Sequence, residues 1–233
     1  MNSLLGSWTT SSQRRLLVEL HLTPCIVSSP PSLCDGLVNS ANERLVGTQF
    51  TPTEAHQKLE GSGIIYPPQA IDGLVHELGG AQMWRACAAL PLDASGVRCP
   101  VGGAALTPAF GELCCSFGAV IHAVSPLYSD PNWSRLLHST FLSSFSTASR
   151  AKLHSIAVPL LGSGAKGAPS NEVAAVAASA IADWVDKSAH HSERLRVLRF
   201  AVQDEAQADS ISAVLGKTMP FKDHASRSQR LPW

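Results

Sequence analysis

The sequence predicts a three-layer α/β/α fold around a mixed, mostly parallel central sheet. Three observations carry that class. Apolar strand patterns alternate with amphipathic helical patterns along most of the chain, the order that puts helices on both faces of a sheet. The segment from Leu153 to Leu161 is dominated by apolar residues without alternation, as a parallel strand covered on both faces should be. Two strands run straight into short loops rich in Gly, Asn and Ser. One is Leu37-Val38-Asn39-Ser40-Ala41-Asn42; the other runs from Ser155 to Pro169 and contains Gly162, Gly164 and Gly167. Side by side at the carboxyl edge of an α/β sheet, such loops form a crevice for a phosphorylated ligand.

The elements follow in order. Arg15 to Leu22 reads as a strand, and a Pro/Ser loop leads to a short buried strand from Gly36 to Asn39. Val46 to Pro68 is a polar loop, longer than a compact domain usually tolerates without a function. Ala70 to Leu90 has helical spacing, with Ile71, Leu74, Val75, Leu78, Met83 and Cys87 on one face. Ala104–Thr107 and Gly118–Val124 read as strands, and Trp133–Ala151 as an amphipathic helix. After the strand Leu153–Leu161 comes an Ala-rich helix, Asn171–Lys187, with Ser170 or Asn171 as cap and Glu172 in its first turn. The last strand is Arg196–Val202 and the last helix Gln207–Leu215. This gives an N-terminal extension over 1–14, one domain over 15–216, and a polar, basic tail over 217–233 that is expected to be disordered.

Composition narrows the function. With 233 residues, 45% of them hydrophobic, the chain can bury one substantial core. Its formal net charge of zero offers no basic stripe for nucleic acid. No run of about 18 apolar residues exists, so no membrane span is expected. The segment Met1–Trp8 is too short and polar for a signal peptide, and a cytoplasmic monomer is the expectation. Arg14 and Arg15 in an acid-free, Ser/Thr-rich start keep a mitochondrial placement open, and a nuclear one also stays open. The six cysteines (25, 34, 87, 99, 114, 115) form no C-x-x-C, so reduced thiols, no metal site and no cofactor are expected. His76 and His122 read as structural histidines, and His190-His191 with Glu193 as an exposed turn.

Five segments, taken in order, resemble the macrodomain family, which binds ADP-ribose. They are Leu37–Asn42, Asp72-Gly73-Leu74-Val75-His76, Gly103–Pro108, Val120-Ile121-His122-Ala123-Val124-Ser125-Pro126, and Ser155–Pro169. The resemblance runs from Leu16 to Leu215 and points to the mono-ADP-ribosyl hydrolase branch, with an insertion in the first ligand loop. It implies an enzyme that removes mono-ADP-ribose from proteins or deacylates O-acetyl-ADP-ribose without metal or redox cofactor. The alternatives are a reader that binds ADP-ribose or a related nucleotide without turnover, and a phosphatase acting on ADP-ribose-1″-phosphate. Its partners would be ADP-ribose or mono-ADP-ribosylated proteins.

The resemblance assigns roles residue by residue. Asn42 would orient the distal ribose, and Asp72 would position the attacking water. Gly162, Ser163, Gly164, Ala165, Lys166 and Gly167 would cradle the diphosphate with backbone N–H groups. Asn39, Ala41, Gly73 and Val75 would complete the ligand contacts, with Val202 beside the base. Asp72 opens a helix, so its carboxylate is expected to be a stabilised anion of low basicity. The chain departs from the family in four places. Leu20-His21-Leu22 stands where the family has Gly-Asp-Ile, so Asp35 is the candidate to read adenine. The insert Val46–Gln69 replaces the usual glycines, and Gly61–Pro68 is expected to form a lid over the distal ribose. Lys166 replaces an aromatic or aliphatic residue and could pair with a phosphate as a point charge. Ala201 or Val202 falls where an aromatic often stacks on adenine.

Overall fold

The computed structural model describes residues 2–10, 16–47, 70–187, 194–218 and 221–223. Among the described residues eight strands form a single sheet: β1 (Ser3–Thr10), β2 (Leu17–Leu22), β3 (Cys34–Ser40), β4 (Ala104–Pro108), β5 (Phe117–Ala123), β6 (Ser155–Pro159), β7 (Val197–Val202) and β8 (Phe221–Asp223). Their order across the sheet is β4-β5-β3-β6-β7-β2-β1-β8. The five central strands, β5 to β2 in that order, pair in parallel, while β4, β1 and β8 join antiparallel at the edges. Helices α2 (Trp133–Arg150), α3 (Ser170–Lys187) and α4 (Glu205–Thr218) pack side by side on one face, and α1 (Ile71–Ala88) covers the other. The mixed three-layer α/β/α class expected from the sequence is therefore the observed one. Among the described residues no helix is long and apolar enough to cross a membrane.

Period-2 alternation explains the layers. On β3, Leu37 joins the core under α1 while Val38 joins the core under α2–α4. Val120 and Ile121 on β5 divide the same way, as do Ala157 and Val158 on β6. Each buried Leu or Val contributes roughly 1.5–3 kcal/mol by leaving water. Burial on both faces is what makes these strands read as apolar runs.

Three features differ from the expectation. Ser3–Thr10 is not an extension outside the domain but a strand paired with β2, because Trp8 and Thr10 are buried. Its polar Ser/Thr/Gly composition hides this in the sequence. The tail, expected to be disordered, contributes β8, which pairs with Trp8, Thr9 and Thr10; residues 224–233 lie outside the described residues. Helix α1 is broken at Gly80, which has φ 60° and ψ −158°. There a 3-10 turn, Gly111–Cys115, approaches so closely that a Cβ on Gly111 would lie 2.2 Å from the Leu78 carbonyl oxygen. The expected lid Gly61–Pro68 and the pair His190-His191 with Glu193 also lie outside the described residues.

Candidate ligand cavity and catalytic pair

Strand β3 leads to α1 on one face of the sheet while its neighbours β5 and β6 lead to α2 and α3 on the other, and a crevice opens beyond its carboxyl end. A cavity of about 780 Å3 occupies that place. A drug-sized or nucleotide-sized ligand needs roughly 300–1,000 Å3. One wall is Ser40, Ala41, Asn42 and Glu43 after β3, with Ile71, Asp72 and Leu74 from the start of α1. The opposite wall is the loop from Gly162 to Lys166 after β6. Thr23, Cys25, Ile26, Ala201, Gln203 and Gln207 line another part, and Ser125, Pro126 and Leu127 follow β5.

The glycine loop is built by short backbone bonds. Gly162 sits at φ +87°, accepts from Ala168 N at 3.0 Å, and is followed by a turn in which Gly167 N donates to Gly164 O at 2.9 Å. The N–H groups of Gly164, Ala165 and Lys166 find no acceptor among the described residues. Successive free N–H groups of this kind form an anion seat. Lys166 lines the cavity, and its Nζ donates to the Ser125 carbonyl. Burial lowers its pKa to about 8, although Glu43 and Asp72 nearby favour the charged form. At neutral pH it stays mostly an ammonium.

Asn42 and Asp72 meet at the other wall. Asn42 Nδ2 donates to Asp72 Oδ2 at 3.2 Å and to the Gly47 carbonyl at 3.3 Å, and its Oδ1 accepts from Val46 N at 3.3 Å. Asp72 Oδ1 accepts from Asn39 Nδ2 at 2.8 Å and lies 3.7 Å from His76 Nε2. The expectation of low basicity at Asp72 is overturned. Burial of the carboxylate raises its pKa to about 6, against the lowering by Asn39, Lys166 and Asn42. Desolvation outweighs the helix terminus because Asp72 is only 4% exposed. A carboxyl group of that pKa is ionised at neutral pH and still basic enough to share a water's proton.

Behind the pair lies a closed polar cluster. His122 Nδ1 is 3.2 Å from Asn39 Nδ2, and its Nε2 is 3.0 Å from Thr107 Oγ1. Burial holds both histidines neutral, with pKa lowered to about 4 for His76 and about 3 for His122. His76, Cys87 and His122 each bring one donor atom within 4.8 Å of the others. Both ring nitrogens of His122 are already engaged, and burial pushes the Cys87 thiol up to about 12, so the three are not a set of free ligands. His122 packs as a hydrogen-bonded core histidine, whereas both His76 ring nitrogens are buried without a hydrogen bond among the described residues, and its ring lies tilted by 51° against Trp84 at 4.3 Å between centroids.

Of the residues the sequence singled out, Ala41, Asn42, Asp72, Gly162, Ser163, Gly164, Ala165 and Lys166 line the one cavity. The rest do not. Asp35 is a correction: it stands at the start of β3, at the far edge of the sheet, where its Oδ2 accepts from His154 N at 2.6 Å and Ser155 N at 3.0 Å. It ties β3 to β6 and reads no base. Val202 points into the α2–α4 core, and by strand alternation its neighbour Ala201 faces the cavity instead. Gly73 and Val75 lie on the buried side of α1, and Asn39 is wholly buried beneath the cavity floor. Gly167 closes the turn without lining the cavity. Sequence reasoning missed Gln203, just before α4, whose N–H donates to Gln207 Oε1 at 3.3 Å, Gln207 itself, and Ser125, a cavity-lining residue whose Oγ is buried without a partner among the described residues.

A family model described as Macro domain matches residues 38–177. A macro domain-containing protein of Xanthomonas axonopodis pv. citri is 32% identical over 152 residues, 64% of this chain and 72% of that protein. The O-acetyl-ADP-ribose deacetylase of Citrobacter koseri is 30% identical over 157 residues, 66% of this chain and 75% of that enzyme. Among solved structures, the Oceanobacillus iheyensis macrodomain with ADP superposes at a TM-score of 0.69 with 19% identity, covering 93% of this chain and 96% of that one.

Proposed function

The chain belongs to the macro domain family, and from that premise we propose that it binds ADP-ribose in the cavity and hydrolyses the bond held at the distal ribose. The products would be free ADP-ribose and either an unmodified protein side chain or an acyl acid. One observation carries the reading: Asn42 and Asp72, bonded to each other at 3.2 Å, face the glycine loop across a single cavity. The similarity to a deacetylase and to a structure holding ADP supports the ligand class.

The chemistry follows from the donors available. The diphosphate takes the N–H groups of Gly164, Ala165 and Lys166, and the Lys166 ammonium adds charge. The distal ribose then lies toward Asn42, whose amide both donates and accepts. Asp72 accepts from a water on the open face of the ribose and takes part of its proton as the bond to the leaving oxygen breaks. The adenosine end falls among Thr23, Cys25, Ile26, Ala201, Gln203 and Gln207, where two carboxamides replace the family's acid as base-reading groups.

A non-hydrolytic reader is the second reading, favoured by one observation. Asn42 has both amide hydrogens engaged by protein atoms and one of its oxygen's two acceptor sites filled, so it can accept from a ligand at once but must give up a bond before it donates to one. Calorimetry with ADP-ribose and a gel assay on an auto-modified mono-ADP-ribosyltransferase separate the two. Binding near micromolar, about −8 kcal/mol, together with release of the label supports the hydrolase. Binding without release makes the protein a reader. No heat at millimolar ADP-ribose sinks both.

A further inference from the structure

The hydrogen bonds behind Asp72 run in one direction and end at Thr107. The Thr107 hydroxyl donates to Met83 Sδ at 3.5 Å, which leaves its oxygen to accept. His122 Nε2 lies 3.0 Å from that oxygen and 3.6 Å from Cys87 Sγ, and with both accepting it carries the ring's hydrogen. A neutral imidazole has one N–H, so Nδ1 is a bare acceptor. Asn39 Nδ2 lies 3.2 Å from that Nδ1 and 2.8 Å from Asp72 Oδ1, and its two hydrogens serve the two acceptors. Asn39, His122 and Thr107 are all at least 98% buried, and none lines the cavity.

Asn39 meets this demand at a cost to itself. Its Oδ1 is buried without a partner among the described residues. A buried acceptor left alone costs roughly 1–3 kcal/mol. The opposite amide orientation would turn that oxygen onto the Asp72 carboxylate, acceptor against acceptor, so the orphan records which way the amide is held.

We propose that Thr107, His122 and Asn39 form a positioning relay for Asp72. Thr107 fixes the His122 tautomer, His122 fixes the Asn39 amide, and Asn39 locks Asp72 Oδ1. Oδ2 is thereby left turned toward Asn42 and the cavity. The catalytic consequence rests on the hydrolase reading; the relay itself does not. The other groups facing Asp72 are His76 and Cys87 from α1, Lys166 from the glycine loop, and Glu43, which shares the cavity wall. None of these supplies the donor that Asn39 gives to Oδ1.

The test reads the relay without substrate. Imidazole nitrogen shifts in the wild-type protein should show His122 with its hydrogen on Nε2. A hydrogen on Nδ1 overturns the relay, since Asn39 would then present its oxygen to the ring. Carbon NMR of the Asp72 carboxyl should titrate near 6 in the wild type. In Asn39→Leu it should move up by about one unit or more, because a donor to the charged form is lost. Thr107→Val should move it the same way by less, and being isosteric it keeps a reading available if Asn39→Leu does not fold. An Asp72 titration that stays in place in Thr107→Val, with the His122 tautomer unchanged, also overturns the proposal. In hydrolysis, both variants should lower kcat with KM and ADP-ribose affinity little changed. The acid limb of the rate profile should shift by the same amount as the carboxyl titration. If the titrations shift as described but the wild type releases no ADP-ribose, the hydrolase reading fails and the relay stands.

Discussion

On the α2–α4 side of the sheet the buried surface is mostly carbon; on the α1 side it holds a carboxylate, two imidazoles, a carboxamide and three thiols. The first layer packs Phe141, Phe145, Phe200 and Trp184 ring against ring. Its buried hydroxyls on α2 bond backbone carbonyls, Thr140 to Leu136 O at 2.9 Å and Val124 O at 3.2 Å, and Ser144 to Thr140 O at 2.8 Å. The second layer places Asp72, His76, His122, Asn39 and Cys87 between apolar residues such as Leu37, Val75, Met83 and Val120. Ionisable groups in such surroundings cost stability, which the molecule draws from the apolar layer. The difference teaches where to look for function: the layer that is poorer in stabilising contacts touches the cavity floor.

The sharpest way to break this comparison is one truncation in each layer. Phe141→Ala should lower unfolding stability by about 3–5 kcal/mol in urea titrations, and the fraction that remains folded should turn over normally. Asp72→Ala should do the reverse: turnover falls on the order of 10²-fold in the gel assay, while the urea midpoint holds or rises, because a carboxylate with a raised pKa is removed. If Asp72→Ala unfolds the protein or leaves the rate intact, the division of labour is wrong. Gly164→Glu should weaken ADP-ribose binding by a similar factor, about 10²-fold, since a carboxylate enters the anion seat opposite. Its Cβ meets open space, so the fold should hold. Calorimetry showing wild-type affinity would move the diphosphate elsewhere.

Acid titration sharpens the comparison further. His76 and His122 have lowered pKa values, so the unfolded chain takes up protons first, and stability is lost as pH falls from 6.5 toward about 4 and about 3. Asp72 has a raised pKa, so its contribution has the opposite sign: present below 3.8 and lost as pH rises toward about 6. Between pH 6 and 4 two groups pull one way and one the other. These three groups therefore leave a net loss of about 1.4 kcal/mol per pH unit on acidification. Asp72→Asn should roughly double that slope, and His76→Phe should bring it near zero, both measured as urea midpoints across pH. The smallest effect expected is on rate. Turnover should rise with pH through about 6 as Asp72 ionises and decline above about 8 as Lys166 loses its charge. A profile flat across pH 5 to 9 would remove both groups from the reaction.

Particular residues show how much of this the sequence made legible. The strand ends at Asn42 and Gly162 were readable because glycine and asparagine at the end of an apolar strand have few other uses. That Asn42 and Asp72, 30 positions apart, would share a hydrogen bond was not readable from spacing; only the resemblance linked them. Asp35 was misplaced because charge at the start of a strand looks the same in sequence whether it faces a ligand or a neighbouring backbone. Ser3–Thr10 was passed over because its pairing partner, not its composition, makes it a strand. The raised pKa of Asp72 was missed for the same kind of reason. Its helix-start position is local and visible, whereas the burial that outweighs it comes from β3, β5 and α1 together.

The sequence alone determined the layer class, the parallel core and the two loops at the cavity, because these depend on period and on glycine, which act within a few residues. Tertiary structure decided the protonation of Asp72, the orientation of Asn39 and the tautomer of His122. Each of those depends on desolvation and on hydrogen-bond partners from other elements. A chain brings such partners together only by folding.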